Sequence, residues 1–407
     1  MLVVFVAPFF HENSVRLLET LATLEGVRAA VVSHDPEELL APELRRRLVG
    51  HWRVEDVQDA EQLAWAAAGL SRHLGRIHRL MSATEQIQVP VAAARERLGV
   101  EGMGVEAVQN FRDKSRMKQR FHAHGIPCAR YRRVTSQDDA WAFLCEVGFP
   151  VVVKPVDSAA TQSTYRVENS QALRNLLRAS APSEERPLQI EEFVQGEEHS
   201  FETFSLDGVH LWHSFTRYLP TPLDVVRNPW IQWRIILPRE ADSPLFDDIH
   251  QVGPRALDAL GARTCLTHME WFRRGNGALA ISEVAARPPG PQICLLTNRA
   301  HDMDLDREWM NLMIFHRFNP PPARKYAAGV AFLRGLGGGR VKQVHGLDDV
   351  LRDLGDLVTD LKRPAPGQGA GHSYEGEGWV AVRHPSTRVV EEALEQIVGR
   401  VRVEMVY

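Results

Sequence analysis

The chain has 407 residues, 44% hydrophobic and 25% charged, with a formal net charge of −4. That is the balance of a soluble globular protein of about two or three cored domains, and no lysine/arginine block gives it the footprint of a nucleic-acid binder. Its four cysteines, Cys128, Cys145, Cys265 and Cys294, are far apart with no Cys-x-x-Cys pair, which argues against a zinc site or a disulfide framework.

The opening MLVVFVAPFF is apolar but has no basic leader and is too short to span a bilayer, so it reads as the first buried strand of a cytoplasmic protein. A strand over 2–7, a helix over 14–24, a strand over 27–33, a helix from 60 to 74 and a strand over 77–81 predict a small parallel sheet with helices on both faces. No Gly-x-Gly-x-x-Gly follows the first strand, so a dinucleotide site is unsupported. This Rossmann-like segment reads as scaffold and as one wall of a substrate site.

From about residue 108 the texture changes. NFRDKSRMKQRFHAHG reads as one helix with basic residues on one side, closed by Gly125, with Lys114 near its start. A helix over 136–147 precedes GFPVVVKP, a buried strand over 150–153 that ends in Lys154-Pro155 and enters a loop of small and hydroxyl residues. Backbone N–H groups and hydroxyls of such a loop cradle phosphate while an ammonium neutralises it. A surface lysine beside a turn gives the same pattern.

PLQIEEFVQGEEHSFETFSLDG follows as a strand, a turn at Gln195-Gly196 and a second strand to Leu206, with Glu191, Glu192 and Glu198 clustered. TRYLPTPLDVVRNPWIQWRIILPR then puts Arg217, Trp230 and Trp233 between two strands. As a loop over an acceptor site it would let Arg217 hold a substrate carboxylate. Plain packing of the tryptophans is the simpler reading.

HMEWFRRGNGALAISEVAARPPG predicts a hairpin, with strands over 266–272 and 278–284 around Arg-Arg-Gly-Asn-Gly. Each strand carries one carboxylate, Glu270 and Glu283. Two acids facing each other are unfavourable unless a cation sits between them, and Mg²⁺ takes one or two protein carboxylates plus phosphate oxygens and water. Arg287, just before Pro288-Pro289-Gly290, adds a fixed positive fork for an oxyanion. Two solvent-facing glutamates on an ordinary hairpin are the alternative. His268 shares the strand face of Glu270 and is either a contact for substrate or the transferring phosphate, or a structural histidine. His122 and His124, two apart on a helix, point to different faces. Beyond Gly290 come a helix over 302–315, a Pro320-Pro321-Pro322 boundary, and a final strand, helix and strand. That last helix, over 386–398, has one buried face of Val389, Val390, Ala393, Leu394 and Ile397.

Taken in order, Asp113-Lys114, GFPVVVKP with its loop, IEEFVQGEEHSFE, HMEWF and ISEVAARPPG resemble the ATP-grasp family across residues 110–290. The resemblance implies an α/β chain with an α+β catalytic core. A Rossmann-like domain (1–108) would precede a two-lobed ATP-grasp domain (109–320, lobes at about 110–180 and 184–320) and a small C-terminal α+β domain (321–407). It implies that Lys114 and Lys154 contact ATP phosphates. Glu191, Glu192, Phe193 and Val194 would form the adenine hinge through backbone groups of Glu192 and Val194, and Glu198 would bind ribose. Glu270 and Glu283 would ligate Mg²⁺, or Mn²⁺ in its place. Arg287 would face the γ-phosphate or the acyl phosphate formed from it.

Two features depart from the family. DSAATQSTYRV has no glycine, which leaves Ser158, Thr161, Gln162 and Ser163 to supply side-chain donors. Ala285 stands where a metal-binding Asn is common, and Glu-x-Ala-Ala-Arg is similar to the ending carried by some L-amino acid ligases. The implied activity is an ATP-dependent carboxylate–amine ligase working through an acyl phosphate and releasing ADP and phosphate. Its partners would be a small-molecule acid and amine, with no nucleic acid or membrane, and a homodimer is the expected assembly. A biotin-carboxylase-like carboxylase and a nucleotide-binding protein without turnover are the alternatives.

Overall fold

The computed structural model of the chain describes every residue apart from 158–163, 242, 291 and 372–373. Ser158, Thr161, Gln162 and Ser163, the expected loop donors, therefore lie outside the described residues.

The chain starts with β1 (Leu2–Val6), α1 (Glu12–Ala22), β2 (Arg28–Ser33), α2 (Pro42–Arg47), β3 (Gly50–Arg53), α3 (Ala60–Leu74), β4 (Ile77–Met81) and α4 (Gln88–Leu98). The strands form a parallel sheet in the order β3-β2-β1-β4. Every residue of β1 is buried because its two faces meet different layers. Val3 and Phe5 pack with Leu17, Leu18 and Leu21 of α1, while Leu2, Val4 and Val6 pack with Leu63 and Ala67 of α3.

The single helix expected through residue 125 is two helices, α5 (Val105–Arg112) and α6 (Lys114–Ala123). Asp113 is the cause. Its backbone is extended, and its carboxylate accepts hydrogen bonds from the amides of Ser115 and Arg116, which starts a new helix at that point. Lys114 is thereby set in the first turn of α6, its amide donating to the carbonyl of Val156 at 2.9 Å.

Next come β5 (Tyr131–Val134), α7 (Gln137–Val147), β6 (Val151–Pro155), β7 (Tyr165–Val167), α8 (Ser170–Ser180) and β8 (Leu188–Glu192), with an antiparallel sheet in the order β5-β8-β6-β7. Val151 and Val153 of β6 turn toward Phe143, Leu173 and Leu177 of the two helices. Strand alternation then sends Lys154 to the opposite face.

The remaining elements are β9 (Gly196–Leu206), β10 (Val209–Leu219), α9 (Pro222–Arg227), β11 (Arg234–Leu237), α10 (Asp247–Leu260), β12 (Cys265–Arg274), β13 (Leu279–Ala285), α11 (Ile293–His301) and α12 (Leu305–Phe315). After these come β14 (Ala327–Leu333), β15 (Arg340–His345), α13 (Leu347–Leu354), β16 (Val358–Lys362), β17 (Gly378–His384), α14 (Thr387–Arg400) and β18 (Arg402–Val406). α11 has no counterpart among the expected helices. Eight strands join in the order β13-β12-β9-β10-β11-β14-β17-β16, and β15 pairs with β18. The expected boundary at residue 320 thus falls inside one sheet, where Arg234 of β11 pairs with Ala331 of β14. We propose the change from parallel to antiparallel sheets near residue 108 as the first domain boundary. Among the described residues no helix is long and apolar enough to cross a membrane.

Candidate active site

The β12–β13 hairpin sets the geometry of the site. Its short turn, closed by the amide of Arg274 donating to the carbonyl of Ala278 at 2.9 Å, sets Trp271 opposite Ile281. A β-bulge at Ser282 then shifts the register so that Glu270 pairs with Glu283 and His268 with Ala285. Register fixes which face each side chain takes, so both carboxylates emerge on the same side. On neighbouring β9, Glu198, Ser200 and Glu202 share one face by the two-residue period, and Glu202 stands opposite His268.

A cleft enclosing about 1230 Å³, open mouth included, separates this face from the β5-β8-β6-β7 sheet. One end is apolar, walled by Ala129, Val152, Phe272, Ala280 and Ile281 beside Glu192 to Val194. The middle is ionic. Lys114 Nζ lies 3.3 Å from Glu283, and Lys154 Nζ lies 3.2 Å from Glu191 and 4.0 Å from Glu283. Lys118 is buried behind them, donating to the carbonyl of Ile281 at 3.0 Å and standing 3.9 Å from Glu191.

Burial opposes charge at these groups, and their partners overcome it. Against its burial, Glu191 is held at about 2 by Lys118 and Lys154. Lys154 is likewise raised above its ordinary value, since Glu191 and Glu283 outweigh its loss of water. Burial would lower His268, but hydrogen bonds and charges from Glu202 and Glu270 push it up to about 9. Its Nδ1 is 2.8 Å from Glu202 and its Nε2 is 3.7 Å from Glu270. Burial would raise Glu270, but His268, Lys154 and Arg287 keep its carboxyl below the ordinary range. Glu198 goes the other way, pushed well above that range by burial and by the charges of Glu270 and Asp224.

Arg287 is not loose at the cleft wall. Its Nε donates to Glu85 at 2.8 Å, its other terminal nitrogen is 2.7 Å from the same carboxylate, and a further N–H donates to the carbonyl of Pro288 at 2.9 Å. Arg112 donates to the second oxygen of Glu85 at 2.5 Å. Sequence reasoning missed Glu85, because nothing in ATEQIQ marks it as the partner of an arginine 202 residues away. It also missed Glu202, which the four-residue spacing from Glu198, two strand periods, would have flagged. Tyr218 and Tyr374 line the cleft too, and neither was singled out.

Several expected positions need correction. Arg217 is not brought to the cleft. It lies 3.4 Å from Glu391 and 3.9 Å from Glu197, while strand alternation gives the cleft face to Tyr218. Trp230 is 65% exposed and Trp233 1% exposed, so only Trp233 is packed. The Glu191 carboxylate anchors Lys154, and that of Glu192 pairs with Arg130 and Arg274 at 2.9 and 2.7 Å. The amide of Glu192 donates to the carbonyl of Arg130 at 3.0 Å. Phe193 lies under the guanidinium of Arg166 at 4.0 Å.

Among the described residues no group of three or more His, Cys, Asp or Glu forms a metal cage. Glu270 and Glu283 form a two-carboxylate donor set instead, which fits Mg²⁺, whose shell phosphate oxygens and water complete.

The profile of the ATP-grasp (A) domain of phosphoribosylglycinamide synthetase matches residues 112–215. Alanine–anticapsin ligase of Bacillus subtilis is 26% identical over 286 residues, 65% of this chain and 60% of that protein. A D-alanine–D-alanine ligase of Chromohalobacter salexigens is 32% identical over 225 residues, 54% of this chain and 70% of the relative. The chain belongs to the ATP-grasp family. Its whole architecture agrees with that, since the crystal structure of L-amino acid ligase from Bacillus licheniformis matches this ATP-grasp chain with a TM-score of 0.77. That match covers 100% of this chain and 99% of the other at 17% identity, a likeness of fold. The ATP-grasp chain spans 52 to 60% of the length of the first curated ligases it matches.

Proposed function

We propose that the protein is an ATP-dependent carboxylate–amine ligase that forms an amide bond through an acyl phosphate, releasing ADP and phosphate. The observation that carries this reading is the register pairing of Glu270 with Glu283, facing Lys114, Lys154 and Arg287 in one cleft. The family's ligases, whose names describe amino acid substrates, support it.

In this reading adenine lies in the apolar end, against the carbonyl of Glu192 and the amide of Val194, and Glu198 takes the ribose hydroxyls. Lys114 and Lys154 meet the phosphates, exchanging part of their attraction to Glu283 for phosphate oxygens. Glu191 keeps Lys154 charged and in place. Mg²⁺ held by Glu270 and Glu283 would neutralise phosphate charge and orient the γ-phosphoryl group. His268 stays protonated at neutral pH and steadies the Glu270 carboxylate. Arg287, fixed by Glu85, presents its guanidinium to the oxyanion that develops as the acid's carboxylate takes the phosphoryl group. An amine then attacks the acyl carbon and phosphate leaves. No protein nucleophile is required.

The test is ADP release across a panel of acids and amines, with and without bicarbonate. Dependence on both an acid and an amine supports the ligase. Dependence on bicarbonate alone favours a carboxylase, and tight ATP binding without turnover favours a non-catalytic nucleotide binder.

A further inference from the structure

Past the ionic groups the cleft ends in a pocket of different chemistry, lined by Tyr218 of β10, Pro222 and Leu223 of α9, Trp233 and Tyr374. The rings hold one another. Trp233 packs against Tyr218 at 5.7 Å and against the edge of Tyr374 at 4.7 Å, while Phe332 stacks on it at 5.0 Å. Its indole N–H donates to the carbonyl of Pro220 at 3.0 Å. The wall is therefore stiff, and its best donor is already engaged.

The apolar lining of Pro222, Leu223 and Trp233 disfavours both signs of charged side chain. Among the described residues, Lys114, Lys154, His268 and Arg287 are the cations that line the cleft, and each already faces a carboxylate. An anionic side chain would be stripped of water with no counter-ion left to meet it. A cationic one would likewise lose its water against Pro222, Leu223 and Trp233, whose ring already has Phe332 stacked on it.

We propose that this pocket receives the side chain of the carboxylic acid being activated, and that it selects an uncharged, apolar side chain of branched-aliphatic or aromatic size. The inference rests on the ligase reading above. It assigns Tyr218, Leu223 and Tyr374 as specificity-determining residues, next to the point where Arg287 meets the reacting carboxylate.

Hydroxylamine tests the acid site without knowledge of the natural amine. The acid's carboxylate oxygen takes the γ-phosphoryl group and ADP leaves. The nitrogen of hydroxylamine then attacks the acyl carbon, phosphate leaves and a hydroxamate forms. With ATP, Mg²⁺ and hydroxylamine, kcat/KM for ADP and hydroxamate formation should be higher for leucine and phenylalanine than for glycine by on the order of tenfold or more. Aspartate and lysine should be poorer still. Leu223 is half-buried on a short helix, so Leu223→Lys should fold and raise the ratio of aspartate to leucine turnover by on the order of tenfold or more. Tyr374→Ala should lower the preference for phenylalanine over glycine, chiefly through KM. Equal turnover of charged, small and apolar acids by the unaltered protein overturns this inference and leaves the ligase reading standing. Hydroxamate from no acid of any class overturns both.

Discussion

Glu85→Gln isolates the tie that holds Arg287. The Glu85 side chain is 6% exposed and lies between two guanidinium groups, with Arg112 on one oxygen and Arg287 on the other. An amide of the same shape keeps one acceptor but turns an NH₂ group toward the second arginine, donor against donor. Removing one partner of a buried ion pair costs about 3–5 kcal/mol, and the retained amide oxygen lowers the expectation to about 2–4 kcal/mol. Burial works against ionisation of Glu85, but Arg287, Arg112 and Lys114 hold its carboxyl below the ordinary value of 4.5. The contribution of a depressed carboxyl is complete above its unfolded value and is lost as pH falls through the folded one. Urea unfolding of both proteins should therefore show the full gap at pH 7, narrowing as the pH drops below about 4.5. ADP formation should fall as well, by on the order of tenfold to a hundredfold, because Arg287 loses its anchor. Coincident unfolding curves at pH 7 would refute the reasoning.

Glu283→Gln should abolish ADP formation while the far-ultraviolet circular dichroism stays unchanged, and wild-type turnover would sink the metal role given to the hairpin. Glu198→Ala should mainly weaken ATP binding measured by calorimetry, with an unaltered affinity counting against its ribose contact. Asp113→Ala removes the cap of α6 and should lower stability by about 1 kcal/mol. It should also weaken ATP binding, because Lys114 sits in the turn that the cap holds. A variant that is less stable yet binds ATP normally would separate the two effects.

What could be read from the chain alone was local. The tight turn of HMEWFRRGNGALAISEVAARPPG would by itself set Glu270 opposite Ser282, and the β-bulge that brings Glu283 there was not legible, but the two-residue period was enough to mark both strands and their acids. Lys154 was legible for the same reason, as the polar residue at the end of a buried strand. Side-chain partnerships across the fold were not legible. The resemblance put Glu191 and Glu192 in a hinge that acts through backbone groups, and nothing in IEE announced that the Glu191 carboxylate would serve Lys154, or that of Glu192 Arg130 and Arg274. Arg217 and Tyr218 are adjacent, and only the direction of β10 decides which of them meets the cleft. Asp113 looked like the middle of a helix, because capping depends on a backbone bend that composition does not report. Tyr374 reaches the site from the C-terminal region through a sheet that runs unbroken past residue 320.

The ion pair that ties Glu85 to Arg287 has a consequence for how the protein is made. On the ribosome, Glu85 and Arg112 emerge early and Arg287 follows 202 residues after Glu85, roughly ten to forty seconds later at ordinary elongation rates. Until then the four parallel strands can pair and pack on α3, while the loop after β4 offers an acid balanced by Arg112 and Lys114 without Arg287. The charge pattern of the cleft is thus finished by a late-arriving segment, so a truncated nascent chain would carry the scaffold without the centre that the scaffold exists to align.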